Sequence, residues 1–123
     1  MSEKILSAVS ILLLIFCMLA LLKRSALPQK HRIFRYLSRL HAPCGILLLI
    51  AGLFHGILAG STTDINTVAM ITGKLTWFLI LALIILSLLK KKTGHILWRK
   101  LHISLAVSVS ILTMIHIGFT AGF

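Results

Sequence analysis

The stretch RLHAPCGILLLIAGLFH, residues 39–55, carries two histidines 14 positions apart in an otherwise apolar run. Residues 100–116, KLHISLAVSVSILTMIH, repeat that spacing 61 positions later. On an α-helix, 14 residues rise about 21 Å and stop roughly 40° short of four full turns. The pattern therefore predicts two long apolar helices, each with two histidines on one face.

Four apolar blocks account for most of the 123 residues, of which 59% are hydrophobic. A helix that crosses the hydrocarbon of a bilayer needs about 20 apolar residues. The blocks predict an all-α integral membrane fold in a single domain, residues 1–123. Its four transmembrane helices are predicted at about 5–22, 42–60, 67–90 and 100–121.

The net charge of +11 is concentrated in two connections between these spans. Residues 23–41 and 90–100 contain eleven of the 13 Lys and Arg residues. Basic connections stay in the cytoplasm, which predicts that both termini lie outside. Short connections favour an up-down-up-down bundle with the second and fourth helices on a diagonal. We expect a multi-pass protein of a prokaryotic cell membrane whose basic loops contact lipid, with no nucleic-acid partner.

The four histidines of the second and fourth spans fall into two level pairs, because these spans run in the same direction. His41 with His102, the inner pair, lies near the cytoplasm, and His55 with His116, the outer pair, lies near the outside. Ionisable residues inside a bilayer are costly and usually functional. Two imidazoles that face each other across a helical bundle can ligate a haem iron axially. The sequence therefore predicts two haem b groups, one iron for each pair.

Small residues on the histidine faces would leave room for these cofactors. They are Gly45 and Gly52 in the second span and Ala106 and Thr113 in the fourth. The larger Leu48 lies midway, where it could separate two stacked haems. Arg39 and Arg99, within one turn of the inner pair, are predicted to bind haem propionates.

Other interpretations of these residues predict less of the pattern. Membrane histidines often form hydrogen bonds between helices, and the glycines could serve tight helix packing. A zinc or copper site would need its ligands at one depth. None of these explains two equal spacings in helices of the same orientation. His31 and His95 lie in basic connections and are predicted to be solvated.

The segment Trp98-Arg99-Lys100-Leu101-His102, followed by His116, resembles the W-[RK]-[RK]-L-H opening of a haem-binding helix in ferric-reductase-like transmembrane domains. The four-helix plan also resembles small cytochrome b561-type proteins. The resemblance implies bis-histidine b-type haems stacked across the membrane, with electrons passing from one face to the other.

The expected function is transmembrane electron transfer between a donor on one face and an acceptor on the other. The partner would be a flavoprotein, an extracytoplasmic electron carrier or a quinone, and the chain could be a homo-oligomer or a subunit of a larger complex. The sequence has no G-x-G-x-x-G motif, so we expect an oxidoreductase subunit that is not a complete reductase alone and assign no catalytic residue. The alternatives are a quinone or ferric reductase acting at a haem face and a haem-free membrane anchor.

Overall fold

The computed structural model of the chain describes residues 2–26, 32–61 and 66–121. These residues form helices and short turns, with no strand among them, which confirms the predicted all-α class. The helices are α1 (Ser2–Ala26), α2 (Arg32–Gly60), α3 (Thr67–Leu88), α4 (Lys90–Thr93) and α5 (His95–Ala121). His31 lies outside the described residues.

Three helices are long and apolar enough to cross a membrane: Arg35–Gly60 within α2, Thr67–Leu88 and His95–Ala121. The apolar part of α1 that the structure describes, Lys4–Leu19, is shorter. Many large apolar side chains point away from the protein, such as Ile57 and Leu88 with 60% and 80% of their surface exposed. So much exposed apolar surface is unfavourable in water, whereas it suits contact with the hydrocarbon of a bilayer. The chain is therefore a multi-pass membrane protein.

The helices that carry the histidines begin earlier than the apolar runs that predicted them. α2 starts at Arg32, ten residues before the predicted start, and continues through Pro43. α5 starts at His95, directly after Gly94, which caps α4 with a φ of 75°. Hydropathy marks the segment that suits lipid, whereas the helix itself extends into the basic residues beside it.

The helices pack in a ring in which α2 and α5 are not neighbours. α1 packs against α2, α2 against α3, and α3 against α5, while α5 touches α1 only lightly. Among the described residues, no Cα atom of α2 lies within 8 Å of one in α5. The two histidine helices therefore face each other across a gap that only side chains reach.

The middle of this gap is filled by apolar side chains. Leu48 of α2, Ile80 of α3 and Val109 of α5 form one buried cluster, and Val109 is only 1% exposed. Leu13 and Leu14 of α1 pack against it. Because residues 48 and 109 lie midway between the histidines of their helices, the cluster separates the two histidine levels.

Candidate functional site

The structure brings together the histidines that the sequence pairs by depth. The imidazole rings of His41 and His102 have their centroids 6.0 Å apart, with an angle of 67° between their planes. Those of His55 and His116 lie 6.2 Å apart at 88°. All four side chains are half-buried. The gap between α2 and α5 thus contains two facing pairs of imidazoles, one on each side of the apolar cluster.

The separation within each pair matches the space that an axially ligated iron requires. Bonds from a first-row metal to an imidazole nitrogen are about 2 Å long, which places two opposing nitrogens roughly 4 Å apart. Adding about 1 Å from each nitrogen to its ring centre, as covalent bond lengths dictate, gives a centroid separation of roughly 6 Å. Both observed centroid separations, 6.0 and 6.2 Å, are close to this value.

Each pair offers two protein ligands. In the part of the chain that the structure describes, no group of three or more His, Cys, Asp or Glu side chains could hold a metal ion. A closed zinc site takes four protein ligands, whereas a haem macrocycle itself supplies the four equatorial nitrogens and leaves two axial positions. A pair of histidines is the complete protein ligand set for haem.

His116 is oriented by the neighbouring helix α3. Its Nδ1 lies 2.8 Å from the carbonyl oxygen of Ala69 and 3.4 Å from the hydroxyl of Thr72. A carbonyl can only accept a hydrogen bond, so Nδ1 carries the proton and donates it. The Nε2 lone pair is then available to a metal, and the hydrogen bond makes it a more basic ligand.

Gly73 makes this approach of His116 to α3 possible. A Cβ atom at position 73 would lie 2.9 Å from Cε1 and 3.2 Å from Nδ1 of His116. Real Cβ atoms essentially never come so close to another heavy atom. The absence of a side chain at Gly73 therefore forms the slot that the His116 ring occupies.

His102 is supported differently, by stacking within its own helix. The indole ring of Trp98, one turn earlier on α5, lies parallel to within 24° at a centroid distance of 5.1 Å. The Nδ1 atoms of His41 and His102 are buried and have no hydrogen-bond partner among the described residues. The inner pair thus lacks the carbonyl contact that orients His116.

The small residues predicted to make room for cofactors differ in their surroundings. A Cβ at Gly45 would meet no atom within 4 Å, and Ala106 is buried beside the gap. Gly52 instead faces α3, where its Cβ would lie 3.4 Å from Cδ1 of Trp77. The hydroxyl of Thr113 donates to the Val109 carbonyl, and this residue lines an apolar groove beside α1. Gly45 and Ala106 are therefore the better candidates for cofactor contact.

The predicted propionate-binding cations lie on the exposed surface near the inner pair. Arg39 of α2 and Arg99 of α5 are two and three residues before their histidines. At the other end, Lys74 is the one exposed Lys or Arg of α3. The two ends of the site therefore differ strongly in positive charge.

The sequence predictions did not include the contact of Gly73 with His116 or the stacking of Trp98 on His102. Gly73 stands in a predicted span, where glycine commonly marks close approach of another helix. Trp98 stands four positions before His102, a spacing that places both on one helix face. Both features are visible in the sequence, whereas the contact of Gly73 with His116 of α5 depends on how the helices pack.

Comparisons of the chain with protein-family models, with curated proteins and with solved structures find no match. The resemblance to ferric-reductase-like and cytochrome b561-type proteins therefore rests on the residues of this chain alone.

Proposed function

We propose that the chain is a transmembrane electron conduit that holds two b-type haems, one between His41 and His102 and one between His55 and His116. The observation that carries this proposal is the two imidazole pairs, which face each other with centroid separations of 6.0 and 6.2 Å. Two similar separations on either side of an apolar cluster suit two equivalent cofactors stacked across a membrane. Haem, when bound, supplies one-electron redox chemistry.

The proposed orientation places the basic end in the cytoplasm and makes α1, α2, α3 and α5 an up-down-up-down bundle. The basic segments before His41 and His102 contain most of the Lys and Arg residues. The positive-inside bias favours this end as cytoplasmic. The inner pair would then serve the cytoplasmic half of the membrane and the outer pair the other half.

The chain's own residues have distinct tasks in this function. The four histidines hold the two irons, and the Ala69 carbonyl fixes the tautomer of His116. Leu48, Ile80 and Val109 keep water out of the space between the levels. Arg39 and Arg99 would neutralise propionates of the inner haem, since charge-assisted pairs with carboxylates are the strong ones. Ligand identity, hydrogen bonds and the low-dielectric surroundings then set the potentials.

The chain would exchange electrons with a redox partner at each face. A flavoprotein, an extracytoplasmic electron carrier or a membrane quinone has suitable chemistry. No Asp or Glu lies between residues 65 and 123, so the positive charge near the inner pair has no acidic neighbour in that half of the sequence. An acidic partner surface would be attracted to this end.

Haem content tests the proposal directly. The protein is purified in detergent from haem-replete cells, and reduced-minus-oxidised spectra are combined with haem quantitation. We expect a b-type spectrum and a ratio near two haems per chain. A preparation of folded protein without haem would exclude the proposal.

Substitution of single histidines tests the pairing. His55→Ala should remove the outer haem and leave the inner one, because the two pairs share no ligand. His95→Ala is the matched control for the outer haem, since His95 is an exposed histidine of α5 that belongs to neither pair, and its ring lies 6.5 Å from that of Trp98 at the inner end. Loss of the outer haem from the control, or of both haems from His55→Ala, would contradict two independent sites.

A further inference from the structure

Three residues form a column from the surface of the basic end to the inner pair. The Lys90 ammonium lies 4.6 Å from the centroid of the Trp98 ring, and the Trp98 ring stacks on His102. Gly94, with its φ of 75°, turns the chain between α4 and α5. Across this turn, the Lys90 side chain lies over the ring of Trp98, which is eight residues later in the chain. A cation over an indole face is electrostatically attracted to it.

The column of Lys90, Trp98 and His102 ends at an imidazole ring whose Nδ1 has no hydrogen-bond partner among the described residues. Rotation of an imidazole about its last side-chain bond is only weakly restricted by its own geometry. His116 is restrained by the Ala69 carbonyl, whereas Nδ1 of His102 has no hydrogen-bond partner among the described residues. The remaining ordered contact of the His102 ring on its own helix is the face of Trp98, at an angle of 24°.

We infer that Trp98 is the positioning residue of His102, and that Lys90 holds Trp98 in place from the membrane surface. The role of Trp98 toward haem rests on the function proposed above, while the column itself does not. In this role the indole sets the plane of an axial ligand by stacking, as the carbonyl of Ala69 does by hydrogen bonding at the outer pair.

The aromatic face of Trp98 and its N–H group can be tested separately by substitution. Nε1 of Trp98 is buried without a hydrogen-bond partner in the described part of the chain. Trp98→Phe therefore keeps a stacking ring and loses no hydrogen bond, whereas Trp98→Leu keeps apolar volume and loses the ring. The two variants differ in the one property that the inference requires.

The first experiment needs no haem. In haem-free protein in detergent, with isotope-labelled histidine, ring-current shifts report which imidazoles lie over an indole. Trp98→Leu should move the ring resonances of His102 and leave those of His116 unchanged, while Trp98→Phe should retain part of the shift. Unmoved His102 resonances in Trp98→Leu would overturn the column, whether or not the protein binds haem.

The second experiment uses the haem-loaded protein and reads the ligand geometry. The electron paramagnetic resonance signal of a ferric bis-imidazole haem depends on the relative orientation of the two ring planes. Trp98→Leu should shift the inner signal, identified as the one that survives in His55→Ala, and weaken inner haem retention roughly 10–100-fold, as loss of a ligand's support does. Trp98→Phe should restore both properties, and the outer signal should not change.

Lys90 is tested against its neighbour. Lys90→Met should broaden the His102 resonances and the inner haem signal, whereas Lys91→Met, which changes the net charge equally, should not. Equal effects of the two substitutions would show a general charge effect and remove Lys90 from the column.

A shift of both haem signals by Trp98→Leu would show a global packing defect and overturn the assignment of Trp98. If wild-type protein holds no haem, the proposed function fails, while the resonance experiment still decides the column.

Discussion

The inner and outer pairs have similar geometry and different supports. Their centroid separations differ by only 0.2 Å, from 6.0 to 6.2 Å. His116 is nevertheless held by a carbonyl and a glycine slot of α3, while His102 stacks on an indole of its own helix. Equal spacing of the imidazoles therefore does not give the two pairs equivalent surroundings, and the neighbouring helices make one end of the proposed conduit unlike the other.

The contrast extends to charge. Arg39, Arg99 and Lys100 lie exposed near the inner pair, whereas Lys74 is the exposed cation on α3 near the outer pair. A cation stabilises the reduced form of a nearby redox centre, and a hydrogen bond from the distal nitrogen of a ligand stabilises the oxidised form. In the proposed haem-loaded protein, both differences would act in the same direction, toward a higher potential for the inner haem than for the outer one.

The largest expected effect is that of Gly73→Ala on the outer pair. The new methyl group would lie 2.9 Å from Cε1 of His116, so the ring or α3 must shift, and we expect this shift to disturb the 2.8 Å contact between Nδ1 and the Ala69 carbonyl. We expect outer haem retention to fall roughly 10–100-fold, as for other lost ligand supports, while the inner haem stays. Haem quantitation and electron paramagnetic resonance measure both sites.

Gly56→Ala provides the control for this substitution. Gly56 follows His55 on α2, and a Cβ there would meet no atom within 4 Å. Its substitution adds the same methyl group near the outer pair without displacing a ligand. Loss of the outer haem from Gly56→Ala, or its full retention in Gly73→Ala, would contradict the role of the slot.

The sequence predicted the histidine pairs better than it predicted the contacts that support them. Two spacings of 14 residues, in spans that run in the same direction, place His41 opposite His102 and His55 opposite His116, because helical rise and rotation are fixed quantities. The contact between Gly73 and His116 joins residues 43 positions apart on two helices. It depends on the distance and rotation of α3 against α5, which periodicity within one helix does not determine.

The residues predicted to face the cofactors show the same limit: their helix face follows from the sequence, but their neighbours do not. The prediction that Gly52 lines the cofactor space came from its place on the histidine face, yet a Cβ there would meet Trp77 of α3. The Trp77 indole donates a hydrogen bond to the Leu49 carbonyl, which draws α3 close to this part of α2. A broad helix face can serve two neighbours, and only the packing decides which residue meets which.

The second prediction concerns the two potentials. A potentiometric titration should resolve two b-type components, with the outer haem at the lower potential. His55→Ala should remove the lower component. Retention of the lower component in that variant would reverse the order inferred from the hydrogen bond and the charges.

Arg99→Gln tests how much positive charge contributes to the difference between the two haem potentials. Removing the cation should lower the potential of the inner haem and leave the outer one unchanged, which narrows the gap between the components. The effect should shrink as salt is added, because exposed charges are screened within about 10 Å at 0.1 M ionic strength. Lys4→Gln, at the start of α1, is the matched loss of one exposed positive charge and should change neither component.

The smallest effect is expected at Thr72, which contributes a longer contact to the outer ligand. Its hydroxyl donates to the carbonyls of Val68 and Ala69 and lies 3.4 Å from Nδ1 of His116, so it can accept only a weak share of that proton. Thr72→Val keeps the side-chain shape and removes this acceptor. We expect both haems to remain and the outer potential to rise slightly, since the ligand loses part of its hydrogen bonding, while Thr72→Ser retains the wild-type value. A loss of outer haem as large as that in Gly73→Ala would mean that the hydroxyl, and not the Ala69 carbonyl, is the main support of His116.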